Sequence, residues 1–165
     1  MIRACTHEDL TAICAIINDS AQAYKGVIPV DRWHEPYMPL QELRHEIENG
    51  VMFWGAEAGG ELAGVMGIQD RGEVDLIRHA YVRTRNRRKG IGSALLRHIE
   101  RMSAKPVLIG TWTDALWAIR FYEKHGYRVL GRPETQALLG KYWTIPERQI
   151  ATSVVLASPR WESAA

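Results

Sequence analysis

Cysteine is scarce in this chain: Cys5 and Cys14 are the only two among 165 residues. Two cysteines flanking one short first element do not make a disulfide framework, and they read as reduced core residues. Long apolar runs are missing as well. No stretch approaches the roughly 18 residues that a membrane span requires. The first ten residues, MIRACTHEDL, lack the basic-then-apolar run of a signal peptide. Together these absences predict a soluble, reduced, cytoplasmic protein with no membrane partner. An excess of one charge is also lacking. With 21 Lys and Arg against 19 Asp and Glu, the formal charge is +2. The surface as a whole is therefore no nucleic-acid magnet, and any attraction for anions must be local. Internal repeats, linkers and low-complexity segments are absent too, and the length suits one domain, residues 1–165, with a real core.

The hydrophobic pattern supplies the elements. Met1–Cys5 reads as a short strand. Thr6 or His7 to Asp9 then opens a helix carrying Leu10, Ile13, Cys14, Ile16 and Ile17 at helical spacing. Tyr24–Pro39, rich in proline and aromatics, reads as a long loop. Leu40–Glu48 is a short amphipathic helix stopped by Asn49 and Gly50. Strands follow at Val51–Ala58 and Leu62–Gln69, joined by Gly59-Gly60-Glu61, and a third at Val74–Val82. Ile91, Leu95, Ile99 and Met102 form one helical stripe, ended by Lys105-Pro106. Val107–Trp112 is a strand, and Trp117–His125 a helix stopped by Gly126. Tyr127–Leu130 and Ile150–Leu156 close the series as strands, with residues 131–149 between them as a loop. The unit from Val74 to Trp112 should form a right-handed parallel crossover, while the hairpins before it imply antiparallel pairing. The fold class is thus α/β (α+β) with a mixed sheet.

RNRRKGIGSALL, Arg85 to Leu96, crowds three arginines, a lysine and two glycines in front of an apolar helix. A helix start presents unpaired N–H groups and about half a positive charge, which together favour a phosphate. Gly90 and Gly92 remove Cβ atoms, so a ligand can approach the main chain. Arg87, Arg88 and Lys89 add charge. A Walker loop is excluded by the glycine spacing, and a Rossmann fingerprint by Leu95 where its third glycine belongs. A merely solvated basic loop remains open at this point. Nucleic-acid binding is disfavoured, because no aromatic residues interleave with the charges.

The pattern Arg87-x-x-Gly90-x-Gly92 after a strand resembles the pyrophosphate loop of the GNAT superfamily of acyl-coenzyme A N-acyltransferases. AIRFYEKHGY, Ala118 to Tyr127, is similar to that superfamily's A-x-x-F-Y-E-K-x-G-F helix, and the two motifs stand in the matching order. The resemblance implies a GNAT fold: a mixed central sheet of about seven strands with a splayed parallel pair, flanked by about four helices. It implies acetyl-coenzyme A as co-substrate, with no metal. The backbone of Tyr81 and Val82 would pair with the pantetheine arm. Main-chain N–H groups from Arg87 through Arg88, Lys89, Gly90, Ile91 and Gly92 to Ser93 would hold the pyrophosphate. Tyr122 would sit by the thioester sulfur. The implied activity is transfer of acetyl to a primary amine of a small molecule or amino-acid derivative by direct attack. A non-catalytic acyl-coenzyme A sensor on the same fold is the alternative.

Two departures from the family pattern matter. Some members carry a glutamate where Leu76 stands, so Asp75, Glu73, His79 or a water chain must serve as the base. By strand alternation Asp75 and His79 would share a face opposite Leu76 and Arg78. Ala115 replaces a frequent asparagine, and Asp114 is a candidate helix cap instead. On the acceptor side, Tyr24, Trp33, His34, Glu35 and Tyr37 make the first long loop unusually aromatic, and long ordered loops tend to be functional. Lys141–Ile150 (KYWTIPERQI) is the other expected wall, with Trp143 and Arg148 facing acceptor or a partner subunit; Arg78 is a candidate for an acidic group on the acceptor. Trp112 and Trp117 read as core residues. A homodimer through the C-terminal strands is a further expectation from the resemblance.

Overall fold

The computed structural model describes residues 1–163. Its centre is a seven-stranded mixed sheet in the order β1-β2-β3-β4-β5-β7-β6. The strands are β1 (Ile2–Ala4), β2 (Val51–Ala58), β3 (Glu61–Asp70), β4 (Asp75–Val82), β5 (Val107–Trp112), β6 (Arg128–Val129) and β7 (Ser153–Ala157). Six α-helices flank it: α1 (Leu10–Ala21), α2 (Leu40–Glu48), α3 (Ile91–Met102), α4 (Leu116–Lys124), α5 (Arg132–Tyr142) and α6 (Glu147–Ala151). Among the described residues no helix is long and apolar enough to cross a membrane.

β2 and β3 form the expected hairpin. Gly59 and Gly60 sit at φ 63° and 82°, the pair of positive values that a tight hairpin turn with matching twist requires. β3 pairs β4 antiparallel, and β4 pairs β5 parallel after the α3 crossover. Pleating divides the core. α1 and α2 bury Ile13, Ile16, Ile17 and Leu43 against Val51, Phe53 and Val65 on one face. α3 buries Leu95, Leu96 and Ile99 against Met66, Ile77 and Ile109 on the other. Each such aliphatic side chain contributes about 1.5–3 kcal/mol on burial. α5 extends the first face, setting Leu138 and Leu139 against Leu76, Leu108 and Val155.

The expectation of a loop over residues 131–149 is corrected: α5 and α6 occupy most of it. Thr135, Leu138, Leu139 and Tyr142 are buried at helical spacing, and Pro133 falls in the first turn, where a missing N–H costs nothing. The last two strands shorten accordingly, and the helix count rises from about four to six. Asp114 does not cap α4, whose start carries no side-chain cap bond. Trp117 is not core: it is 43% exposed on the first turn of α4, resting against Tyr24 with ring centroids 5.7 Å apart. Trp112 is buried as expected. Cys5 and Cys14 are free, and burial pushes the Cys5 thiol up to about 11, which leaves it unreactive.

Candidate active site

The parallel pairing of β4 with β5 is short. It covers Asp75↔Val107, Leu76↔Leu108 and Ile77↔Ile109 and then stops. Beyond that point β5 runs on beside β7, while β4 continues beside β3 to Val82. The strands therefore part at Ile77 and Ile109, and among the described residues the β5-facing backbone edge of β4 past Ile77 has no strand partner. Tyr122, from α4, is buried in the cluster that contains both of those last paired residues. It meets Phe121 and Tyr127 edge-on. Burial pushes its phenol well above the ordinary tyrosine range.

Past Val82 the chain makes a 3-10 turn, Thr84–Asn86, and enters α3 through a bend in which Arg88 has φ 64° and Gly90 φ 77°. The bend is anchored from three sides. Thr84 N–H donates to Asp19 Oδ2 (2.8 Å), Arg83 Nε to the Leu62 carbonyl (2.9 Å), and Arg85 to Glu61 (2.7 Å). Arg87 turns back to Ser20, donating to its carbonyl and hydroxyl at 3.3 Å each. Arg88, Lys89 and Gly90 are exposed. A Cβ on Gly90 would meet nothing within 4 Å, whereas one on Gly92 would touch the Phe121 ring at 3.4 Å. Gly90 thus serves the backbone turn, while at Gly92 a Cβ would make only ordinary contact with α4. The Ile91 side chain packs over Gly64, so only its main chain is free to serve a ligand. Ser93 Oγ lies 2.9 Å from His125 Nε2.

On the opposite side of the parting strands lies a cavity of about 110 Å³ that opens to solvent. Tyr24, Tyr37, Tyr81, Trp112 and Trp143 give it an aromatic wall, and Arg78, His79, Thr111, Gln149 and Ser153 its polar groups. Trp143 stacks over Gly110, where a Cβ would come within 3.2 Å of the indole. Tyr37 accepts from Trp112 Nε1 at 3.0 Å. A bulge in β4 sets the polar end. Between the pairings Gly67↔Arg78 and Val65↔Tyr81, β4 carries one residue more than β3, and His79 takes φ 56°. Arg78 and His79 consequently point the same way, and both meet Glu46 of α2.

The chain's sequence matches the family model described as an acetyltransferase (GNAT) domain over residues 17–138. The chain belongs to the GNAT acetyltransferase family. No curated protein matches it by sequence. Among solved structures it is similar to PaiA N-acetyltransferase from Thermoplasma acidophilum in complex with coenzyme A, at 20% identity and TM-score 0.72, over 96% of this chain and 97% of that one. It is similar to an acetyltransferase of GNAT family from Staphylococcus aureus Mu50, at 17% identity and TM-score 0.70, over 96% and 97%. It is also similar to a ribosomal-protein-alanine N-acetyltransferase from Brucella melitensis, at 22% identity and TM-score 0.63, over 79% and 86%. At these identities the likeness is one of fold, and the mixed sheet with its parting parallel pair is the GNAT arrangement.

Of the residues singled out from sequence in this GNAT domain, the structure gathers some and separates others. Tyr24, Arg78, His79, Tyr81 and Trp143 share the cavity. Trp33 and His34 lie behind Tyr37, stacked on it at 5.8 and 6.2 Å, outside the cavity wall. His34 Nδ1 is 2.8 Å from the Pro36 carbonyl. Asp75 stands at the far end of β4, buried, accepting from Ser103 Oγ at 2.6 Å and paired with Lys105 Nζ at 3.3 Å. Both its oxygens are engaged away from the cavity, so Asp75 is not carried forward as a base. The expected face-sharing of Asp75 with His79 fails, because the bulge breaks the alternation between them. Tyr37 and Gln149 come from the two expected walls, while Glu46 and Thr111 join the site without having been singled out. A glutamate on an amphipathic helix gives no local sign of its partner, whereas a glycine inside a strand, such as Gly110, is a local sign of a close approach.

Proposed function

We propose that the protein is an acetyl-coenzyme A-dependent N-acetyltransferase acting on a primary amine of a small molecule or amino-acid derivative. The observation that carries this reading is the parting of β4 and β5 at Ile77 and Ile109 with Tyr122 buried beside those two residues. The chain's groups fit the donor. The free edge of β4 at Tyr81 and Val82 offers main-chain pairing to an amide-bearing arm. The Arg87 N–H is already donated to the Thr84 carbonyl at 3.3 Å, so it is the bend from Arg88 to Ser93 that offers N–H groups, two residues with positive φ, and the exposed charges of Arg88 and Lys89 to a diphosphate.

When bound, acetyl-coenzyme A supplies a thioester carbonyl for direct attack and a thiolate leaving group. An ammonium near pKa 10.4 must give up a proton first, a demand of about 4.6 kcal/mol at pH 7. His79 is the cavity's candidate for receiving it. Tyr122 holds its proton more tightly than an ordinary phenol, so full transfer to a free thiolate is uphill by more than the roughly 2 kcal/mol expected of unperturbed groups. Its role is therefore to hydrogen-bond the departing sulfur and to give up its proton only as the C–S bond breaks. Overall the ammonium loses two protons: one to His79 and on to water, and one, after attack, to the Tyr122 phenolate, replacing the proton the phenol gave to the sulfur.

The acceptor class follows from the wall. None of the residues lining the cavity is Asp or Glu, so a substrate with several ammonium groups would meet no counter-charge there. A single amine on a compact, partly aromatic or apolar body suits five aromatic rings. The test is a coenzyme-thiol release assay across a panel of such amines, with polyamines and lysine-rich peptides as comparison. Release with compact monoamines supports the reading. Coenzyme binding with no release from any amine would leave the domain as an acyl-coenzyme A sensor.

A further inference from the structure

Pleating sends consecutive strand residues to opposite faces, yet Arg78 Nη2 and His79 Nε2 reach the same atom, Glu46 Oε1, at 3.0 and 3.1 Å. The β4 bulge makes this possible, at the cost of a left-handed φ at His79. A residue other than glycine keeps such a conformation only where its surroundings impose it, and strain of this kind collects at functional sites. The surroundings here are specific. Phe53 stacks on the imidazole at 6.2 Å with the rings 24° apart. Arg78 Nη1 donates to Gln69 Oε1 (3.2 Å), and Gln69 Nε2 donates to the Asn49 carbonyl at the end of α2 (2.9 Å). Backbone, ring face and Nε2 of His79 are all held. Its Nδ1 has no hydrogen-bond partner among the described residues, and the side chain lines the cavity.

The state of Glu46 decides the tautomer. Burial pushes its carboxyl up, but the His79 hydrogen bond and then the positive charges around it, the Arg78 guanidinium at 3.0 Å among them, outweigh burial and hold it below the usual carboxylate range. A carboxylate only accepts, so Nε2 must carry the hydrogen, and in the neutral ring the lone pair lies on Nδ1.

Resting on the reading of this cavity as the acceptor site, we propose that Glu46 is a positioning residue that fixes His79 in the Nε2–H tautomer, leaving Nδ1 to take the proton of the acceptor ammonium. In that step an N–H bond of the ammonium breaks, its electron pair stays on nitrogen for attack, and the proton joins Nδ1. The imidazolium then has N–H on both nitrogens, with Nε2 still donating to Glu46. Arg78 keeps the carboxylate ionised and in place.

The test uses the full chain, labelled with ¹⁵N-histidine, above pH 8 and without coenzyme. Two-bond ¹H–¹⁵N correlations report which ring nitrogen is protonated, and loss of one set of signals in His79→Gln assigns the residue. The proposal predicts a protonated Nε2 and a bare Nδ1 in the wild type. Glu46→Ala should mix the tautomers and lower kcat about 10-fold, a fraction of the roughly 10²-fold that a general base contributes, with coenzyme Kd unchanged. Glu46→Gln, which keeps an accepting oxygen and the side-chain volume, should restore the tautomer and most of kcat. A wild-type His79 protonated at Nδ1 overturns the proposal even if Glu46→Ala fails to fold. So does a Glu46→Ala protein that keeps both the tautomer and kcat. Failure of the protein to bind coenzyme would instead strike the acetyltransferase reading, and the spectra of the free protein would still judge Glu46.

Discussion

The two sides of the site are built by different means. The side assigned to the coenzyme is one continuous stretch, from the free edge of β4 through the bend at residues 83–90 into α3, and it offers mostly main-chain groups. The acceptor side is assembled from five separated segments, represented by Tyr24, Glu46, His79, Gly110 and Trp143, and it offers side chains. Main-chain groups cannot be changed by substitution except through the backbone's own conformation. Side-chain walls change with every residue. The donor side can therefore stay constant across a family while the acceptor side is retuned, and the two should respond differently to mutation.

Tyr122 stands where the two sides meet, and it should show the largest effect. Tyr122→Phe is expected to lower kcat about 10²-fold with coenzyme affinity unchanged, as read by steady-state kinetics and calorimetry. An unchanged kcat would remove the phenol from the mechanism. On the donor side, Gly90→Val forces a β-branched residue into φ 77°, a strain of about 1–3 kcal/mol. Coenzyme affinity should fall about 10-fold or more, while the amine KM at saturating coenzyme stays the same. On the acceptor side, Gly110→Ala pushes Trp143 off its seat at 3.2 Å. Its amine KM should rise by up to about 10-fold, with coenzyme Kd untouched. Equal effects of the two glycine variants on both ligands would break the division.

The smallest effect concerns acid. Glu46 has a folded pKa below its ordinary value, so its contribution is fully present above the unfolded value near 4.3 and is lost as pH falls through the lower folded one. Between pH 5 and 3 the thermal midpoint of the wild type should drop further than that of Glu46→Gln. Hydrogen exchange should quicken around α2 and the β4 bulge before it does at the head of α3. Parallel curves for the two proteins would remove Glu46 from the acid response.

The same division decides what could be read from sequence. A contiguous backbone device leaves a contiguous signature: the glycines at 90 and 92, the arginines before them, and the FYEKHGY stretch lie in order along the chain. The first three helices and the strands through Trp112 were legible as well, because each carries its own period. α5 was legible in principle, since Thr135, Leu138, Leu139 and Tyr142 repeat at helical spacing, but Pro133, Gly131 and Gly140 made the segment resemble a loop. The Glu46 pairing had no local trace. It depends on one extra residue in β4, and a bulge is a property of two strands together that neither sequence announces. The roles of Trp33 and His34 were overdrawn for a related reason: aromatic residues in a loop cannot show which ring faces the cavity and which supports it from behind.

The most direct measurement is a structure of the protein with coenzyme A bound. The account predicts the diphosphate on the main-chain N–H groups of residues 88–93, the pantetheine arm along the free edge of β4, and the sulfur within hydrogen-bonding reach of Tyr122. A coenzyme that leaves the glycine bend empty, or that sets its sulfur away from the phenol, would contradict it.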